Sequence, residues 1–208
     1  KSNAIWCSIM KNYERYLKTT AEEYDKETIM SFLCRRLPDR KIVPILREMK
    51  GKRVLDVGLG TGHYTRIFLT ENNVTGIDRN PHLCKLPVKV YEGGATEISR
   101  LAGAEKFDGV VSTWMTEYLS PDELGIFFAE SKKALKAGGK LITTVISGYG
   151  LGFMYVTMAK MLRGIDKYGY TKKEITEKLK AAGFTEIKIT NLNSWVGIPW
   201  AYLVIAQD

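Results

Sequence analysis

The spacing of apolar and polar residues alternates between two patterns from residue 51 to residue 147. Five short apolar runs are typical of buried strands: residues 53–57, 74–77, 88–91, 107–112 and 140–146. The stretches between them predict helices at residues 64–69, 97–101 and 121–135, with at most a short helix at 81–84. Gly138-Gly139 is expected to end the last of these helices. Strands alternating with helices form parallel β-α-β units, so the pattern predicts an α/β fold with helices on both faces of the sheet.

The two ends of the sequence follow other patterns. Residues 1–50 predict helices only, at 9–25, near 28–36, and from Pro38 towards Met49. Residues 172–182 predict a helix with Thr171 as its N-cap and Glu174 completing a capping box. Residues 185–192 and 201–206 predict two strands with no helix between them, which pair antiparallel. The length of 208 residues suits a single domain.

A glycine turn, Gly58-x-Gly60-x-Gly62, follows the first predicted strand. Ligands of open α/β sheets bind at the carboxyl ends of the strands, and glycine lets the backbone approach a ligand closely. Asp56 lies inside the apolar strand, where a carboxylate is costly unless it is paired, and Asp78 ends the second strand. His63 stands where a dinucleotide-binding turn has its third glycine, which argues against a nicotinamide cofactor.

The segment from Val54 to Gly62 resembles the cofactor motif of class I S-adenosylmethionine-dependent methyltransferases. The strand at 107–112 is similar to the family's "FDxV" strand, and residues 134–141 to its "L-kpGG-l" step. The resemblance covers about residues 50–208. It implies a Rossmann-like sheet of seven strands, five parallel plus a terminal antiparallel hairpin, with helices on both faces and an N-terminal helical cap. It implies S-adenosylmethionine as cofactor and S-adenosylhomocysteine as product.

The resemblance also implies roles for single residues. Asp56 would face the methionine end of the cofactor, and Asp78 would accept the ribose hydroxyls. Many relatives read the adenine with an acid where this chain has Gly94, so adenine recognition falls to the backbone of Ala95 and Thr96, or alternatively to Glu97. The expected cofactor-binding residues are Asp56, Gly58, Leu59, Gly60, Gly62, Asp78, Arg79, Ala95, Thr96, Thr113 and Trp114.

Residues 21–25 resemble the "a-x-x-YD" segment of the small-molecule branch typified by quinone- and porphyrin-biosynthesis methyltransferases (methyltransferase types 11 and 25). Glu117 stands where many of these enzymes carry histidine, and it either orients or deprotonates the acceptor or is a solvated helix-entry residue. The expected acceptor-site residues are Tyr16, Tyr24, His63, Glu117, Tyr118 and Phe153. For both N-terminal tyrosines ordinary helix packing is the alternative, and for His63 it is a surface position.

Residues 148–163 are expected to form a lid over an apolar acceptor, because glycines supply hinges and methionines an adaptable surface. A helix that completes the core, or a dimer contact, is the alternative. The expected division is therefore a helical cap at 1–50, a cofactor-binding core at 51–147, the covering segment at 148–170, and a C-terminal helix and hairpin at 171–208.

Several acceptor and partner classes are disfavoured. Residues 112–115 lack the prolines of nucleobase amino-methyltransferases, none of the three cysteines stands where a cytosine methyltransferase has its nucleophile, and no acid cluster indicates a metal. The net charge of +8 comes from scattered basic residues, which argues against nucleic acid. An RNA- or protein-modifying methyltransferase and a non-catalytic cofactor-binding domain remain the alternatives.

The cysteines and the longest apolar stretch bear on location. The cysteines form no C-x-x-C pair, which indicates a reduced, cytoplasmic setting. The stretch at 151–162 is too short to span a bilayer, although transient contact with a membrane surface is compatible with it. The expected partner is a small-molecule acceptor, and the chain is expected to be a monomer or a homodimer.

Overall fold

The computed structural model of the chain describes residues 29–193 and 197–208. Its core is a seven-stranded sheet in the order β3-β2-β1-β4-β5-β7-β6. The strands are β1 Arg53–Val57, β2 Asn73–Asp78, β3 Lys89–Glu92, β4 Phe107–Ser112, β5 Leu135–Ile146, β6 Glu186–Asn193 and β7 Pro199–Gln207. The first five pair in parallel, and β7 pairs antiparallel with both β5 and β6. The predicted sheet with its terminal hairpin is confirmed.

Helices cover both faces of this sheet. They are α1 Ile29–Arg47, α2 Thr65–Phe68, α3 Ile98–Ala102, α4 Pro121–Ala134, α5 Gly150–Arg163 and α6 Lys172–Ala181. Neighbouring strand residues point to opposite faces, so Val110 packs with α3, α4 and α6 while Val111 packs with α1, α2 and α5. Each helical layer thereby buries one side of the sheet.

Two predicted boundaries are wrong. The break expected at Pro38 is absent, since α1 continues through Pro38 and Pro44. Ile42 and Leu46 are fully buried against the sheet, and this packing outweighs the hydrogen bonds that the prolines remove. Gly138-Gly139 does not separate α4 from the fifth strand, because β5 begins at Leu135 and the two glycines lie within it.

The register of β4 against β5 explains the second error. It shifts between Phe107 and Gly109, where β5 contains extra residues, and Gly138 adopts a φ of +72° inside this irregularity. Such a bulge favours glycine. Gly138 and Gly139, which were expected to end a helix, therefore belong to a bulge in β5.

Residues 148–170 leave the sheet after β5 and return to it beside the same strand end; we call them the excursion. Ser147 and Tyr170 form a parallel bridge, with Gly148 N donating to Tyr170 O at 2.9 Å. A Cβ on Gly152 would lie 2.3 Å from the carbonyl oxygen of Ser147, so only glycine permits this closure. The excursion carries α5, and α6 then begins at the predicted N-cap, Thr171, with the Glu174 capping box.

Candidate functional site

The carboxyl ends of β1, β2 and β4 lie side by side, because β1 pairs with β2 on one side and with β4 on the other. The chain order reverses between β1 and β4, and such a switch point is where open α/β sheets bind their ligands. Asp56, Asp78 and the residues after Ser112 therefore lie close together at the carboxyl ends of these strands.

Asp56 is buried at these strand ends, and one of its two carboxylate oxygens makes no hydrogen bond to the residues described. Its Oδ2 accepts a hydrogen bond from Thr65 Oγ1 at 2.7 Å, and its Oδ1 has no partner among the residues described. Burial raises the pKa of Asp56 from 3.8 to about 7; the Thr65 hydrogen bond opposes this rise, and the nearby charge of Asp78 adds to it. A buried acceptor of this kind suits a cationic or hydrogen-donating ligand group.

Asp78 holds the glycine turn in place. Its Oδ2 accepts from Gly60 N and its Oδ1 from Asn80 N, each at 2.8 Å. Gly60 has a φ of +53°, a conformation that glycine adopts without strain. The carboxylate is buried, and a carboxylate can accept further hydrogen bonds beyond these two.

Packing within the protein also requires glycine in this turn. A Cβ on Gly58 would lie 2.3 Å from Met115 Cγ, and one on Gly62 would lie 2.4 Å from Leu86 Cδ1. Leu59 is buried and occupies the space beside Gly76, where a Cβ would lie 2.9 Å from a Leu59 methyl carbon. The turn is thus closely covered by apolar side chains on the protein side.

The segment after β3 is closed by its own hydrogen bonds. Glu97 accepts from Gly94 N at 2.9 Å and pairs with Arg100 at 2.6 Å, so both of its oxygens are engaged. Gly94 and Ala95 are buried, Thr96 is half-buried, and the guanidinium of Arg79 lies against Gly94. The acid that sequence reasoning offered for adenine recognition is therefore used to cap its own turn.

Trp114 carries backbone strain at the end of β4, after the half-buried Thr113. Among the described residues it is the one non-glycine residue with positive φ, at +56°. Thr144 Oγ1 accepts from Trp114 N at 2.7 Å, and Tyr64 Oη accepts from Trp114 Nε1 at 2.7 Å. Tyr64 in turn donates to Asp39 on α1 at 2.7 Å. Strained residues that are held this firmly are typical of functional sites.

Replacing Tyr64 with phenylalanine tests this chain of hydrogen bonds. The change removes the acceptor of Trp114 Nε1 and the donor to Asp39, so the free energy of unfolding should fall by about 1–3 kcal/mol. Urea denaturation measures it. Tyr149→Phe, at a side chain that is 62% exposed, is the control and should change little. Equal stability of Tyr64→Phe and the unmodified chain would contradict the assigned role.

Glu117 lies one turn further along and is buried, so its reading as a solvated helix-entry residue is wrong. Lys167 Nζ lies 3.0 Å from Glu117 Oε1, and Tyr155 Oη donates to the same oxygen at 3.3 Å. Tyr118, which is 47% exposed, places its ring 4.6 Å from the Lys167 ammonium. Sequence reasoning missed Tyr155 and Lys167, because their approach depends on how the excursion folds back.

Three other expected site residues lie at the surface. His63 is exposed with its ring edge against Tyr64, which is the surface position given as its alternative. Phe153 is 56% exposed on the outer side of α5, and Arg79 is exposed beside Gly94. Tyr16 and Tyr24 lie outside the described residues. Within residues 29–193 and 197–208 no group of three or more His, Cys, Asp or Glu could hold a metal ion.

No helix in the described part of the chain is both long enough and apolar enough to cross a membrane.

The sequence and the fold are similar to those of known methyltransferases. Residues 55–143 match the family model described as a methyltransferase domain. A demethylmenaquinone methyltransferase from Tropheryma whipplei is 28% identical over 135 residues. That alignment covers 61% of this chain and 56% of the relative, so the chain spans little more than half the length of the curated relatives it matches.

Solved structures extend the likeness across the whole sheet. The 1,6-didemethyltoxoflavin-N1-methyltransferase of Burkholderia thailandensis, with 1,6-didemethyltoxoflavin and S-adenosylhomocysteine bound, has a TM-score of 0.69 at 20% identity. It covers 94% of this chain and 87% of its own. A possible histamine N-methyltransferase from Thermotoga maritima has a TM-score of 0.64 at 18% identity and covers 98% of both chains. These structural likenesses show a shared fold.

Proposed function

We propose that this chain is an S-adenosylmethionine-dependent methyltransferase that transfers the methyl group to a small, partly apolar acceptor. One observation carries the proposed acceptor class. The turn after β4 places the buried Glu117 carboxylate among Tyr118, Tyr155 and Lys167, close in sequence to Trp114. Aromatic surfaces with a few well-placed polar groups are typical of pockets for small molecules.

The residues at the strand ends fit the cofactor by their chemistry. Asp78 would accept the ribose hydroxyls, Asp56 would face the ammonium of the methionine end, and Ala95 and Thr96 would offer backbone groups to the adenine. The unused Asp56 Oδ1 supports this assignment, because it is a buried acceptor in need of a donor. When bound, S-adenosylmethionine supplies a methyl group on a sulfonium, which is an excellent leaving group.

The protein's own part in the reaction is then alignment and exclusion of water. Trp114 would lie beside the methionine end of the cofactor, and Glu117 would orient the acceptor. A strong general base is needed only for an acceptor that is protonated at neutral pH. Glu117 is ion-paired with Lys167, so we assign it orientation first and proton removal second.

The excursion at 148–170 is proposed as the cover of this pocket, between the cofactor-binding core at 51–147 and the helix and hairpin at 171–208. Residues 1–50 are proposed as a helical cap, to which α1 belongs. The outer side of α5 exposes Phe153, Met154, Met158, Met161 and Leu162. Such an apolar strip supports brief contact with a membrane surface or a second copy of the chain.

The acceptor class can be tested by release of S-adenosylhomocysteine from S-adenosylmethionine. The panel follows the relatives' names: a short-chain demethylmenaquinol, 1,6-didemethyltoxoflavin and histamine, with unmodified RNA and a mixed peptide library for comparison. We expect turnover with at least one small aromatic acceptor, and its loss in Asp78→Ala. Turnover with RNA or peptide alone would contradict the proposal.

The buried Asp56 should make cofactor binding depend on pH. Its pKa of about 7 in the free protein leaves it mostly protonated at pH 5.5, whereas the cationic methionine end requires the carboxylate. Affinity for S-adenosylhomocysteine should therefore be about 10- to 30-fold weaker at pH 5.5 than at pH 7.5. Calorimetry in two buffers of different ionisation enthalpy should show proton release on binding near pH 6.5.

Asp56→Asn is the matched control for this titration. It should bind weakly with little change between pH 5.5 and 7.5. If the affinity of the unmodified chain did not change over this pH range, Asp56 would not face the methionine end of the cofactor.

A further inference from the structure

The excursion reaches the turn after β4 with two polar side chains. Tyr155 lies on α5 and Lys167 in the loop after it, and both contact Glu117 Oε1. Tyr168 N also donates to the backbone oxygen of Glu117 at 2.8 Å. Since the two ends of the excursion meet at the Ser147–Tyr170 bridge, these contacts fasten its middle to the proposed acceptor site.

The ammonium of Lys167 is held from several sides. Besides Glu117 it donates to Tyr155 Oη, and it lies 4.4 Å from the centre of the Tyr155 ring and 4.6 Å from that of Tyr118. Aromatic faces attract cations. Burial alone would lower the pKa of Lys167. The negative charge of Glu117, and after it the electrostatic effects of Tyr118 and Tyr155, outweigh burial and raise that pKa above its ordinary value.

Tyr155 keeps its proton for a related reason. Burial raises the pKa of its phenol, and the negative charge of Glu117 raises it further. The Lys167 ammonium opposes this but does not cancel it. At neutral pH Lys167 is therefore an ammonium, and Tyr155 is a phenol that donates to Glu117 Oε1.

Stability alone does not explain such a pair. Only 7% of the Glu117 side chain and 8% of the Lys167 side chain are exposed, and the desolvation of two charges offsets most of their attraction. Apolar side chains of similar volume would hold the excursion at least as well. What the pair adds is a fixed orientation of Glu117 and a closure that fails when one partner is lost and the other stays buried without its opposite charge.

Building on the proposed function, we infer that Lys167 is a positioning residue of the acceptor site. It holds the Glu117 carboxylate in one orientation and keeps the excursion closed over the turn after β4, with Tyr155 as the third member. A site that is closed in this way retains the cofactor and excludes water while the methyl group is transferred.

The test compares the dissociation rate of S-adenosylhomocysteine between variants, measured by stopped-flow tryptophan fluorescence at pH 8. Lys167→Met leaves Glu117 buried and unpaired, so the excursion should open and dissociation should become about tenfold faster. Lys167→Arg should recover most of the loss. Lys160→Met, which removes an exposed ion pair with Asp166 in the same excursion, is the control and should stay within about twofold.

The double variant Glu117→Gln/Lys167→Met separates positioning from simple support of the fold. It has no unpaired charge, so its dissociation rate should return to within about twofold of the unmodified chain.

Two results would overturn the inference. One is a Lys167→Met variant with a lower free energy of unfolding but an unchanged dissociation rate, which indicates a structural role only. The other is a double variant that dissociates as fast as the single one. Tryptic cleavage after Arg163, a site that every variant retains, is followed without any ligand and repeats the comparison. A chain that fails to bind S-adenosylhomocysteine contradicts the proposed function, and the cleavage comparison then decides whether Lys167 keeps the excursion closed.

Discussion

Replacing Gly58 with alanine is expected to weaken the binding of S-adenosylhomocysteine by at least about 100-fold. The free energy of unfolding should fall by about 2–4 kcal/mol in the same variant. Gly58 has a φ of +74°, and its new Cβ would lie 2.3 Å from Met115 Cγ and 2.8 Å from Met115 Cβ. Met115 follows the strained Trp114, so its Cβ has little freedom to withdraw. Calorimetric titration and urea denaturation measure the two effects.

Gly51→Ala is the matched control for this variant. Gly51 has a φ of +62°, but an added Cβ would meet nothing within 4 Å. The residue precedes β1 and so lies at the amino end of that strand, away from the glycine turn. The variant should show only the cost of the left-handed backbone, about 1–2 kcal/mol, and normal cofactor affinity. Similar losses of binding in both variants would show that backbone strain in general, and not the turn at Gly58, governs affinity.

Asp78→Asn is expected to have the second large effect, a loss of about 100-fold in affinity for S-adenosylhomocysteine. The amide has a single oxygen, which can accept from either Gly60 N or Asn80 N. The remaining backbone N–H then faces the NH2 group of the amide and loses its acceptor. The turn therefore loses support, and the ribose hydroxyls lose a charged acceptor. The free energy of unfolding should fall by about 1–3 kcal/mol, which urea denaturation can measure separately.

5′-Methylthioadenosine distinguishes the two acids of the site, because it carries the ribose and adenine without the amino-acid end. Asp78→Asn should lower the affinities for this compound and for S-adenosylhomocysteine by similar factors. Asp56→Asn should lower only the affinity for S-adenosylhomocysteine. The reverse pattern would exchange the assigned roles of Asp56 and Asp78.

Much of the fold could be predicted from the sequence because its signals are local. Buried strands such as β1 and β4 appear as apolar runs bounded by polar residues, and the Thr171–Glu174 capping box marks the start of α6. The proposed cofactor site could be located for the same reason, since Asp56, the glycine turn and Asp78 each lie at or beside the end of a strand. Residues 55–143 match the methyltransferase family model, in agreement with the assignment made on these residues.

The errors occur where contacts distant in sequence decide the structure. Pro38 would break an isolated helix, yet α1 continues because Ile42 and Leu46 pack against the sheet. The glycine pair at 138–139 is equally compatible with a helix stop and a bulge, and only the register against β4 distinguishes them.

The proposed acceptor site could be predicted only in part for the same reason. Glu117 could be found from its place after β4, but its partner Lys167 is 50 residues away in sequence. No periodicity links the two residues, because the closure at Ser147–Tyr170 brings them together. Tyr64 and Asp39, which hold Trp114, are likewise joined across separate elements.

The most direct test of the cofactor site is a titration of the 15N-labelled chain with S-adenosylhomocysteine, followed by amide NMR shifts. We expect saturable shifts at Gly58, Gly60, Asp78 and Ala95, with little change at β6 on the far edge of the sheet. A titration without saturation, or saturable shifts confined to residues away from the ends of β1 and β2, would contradict the account.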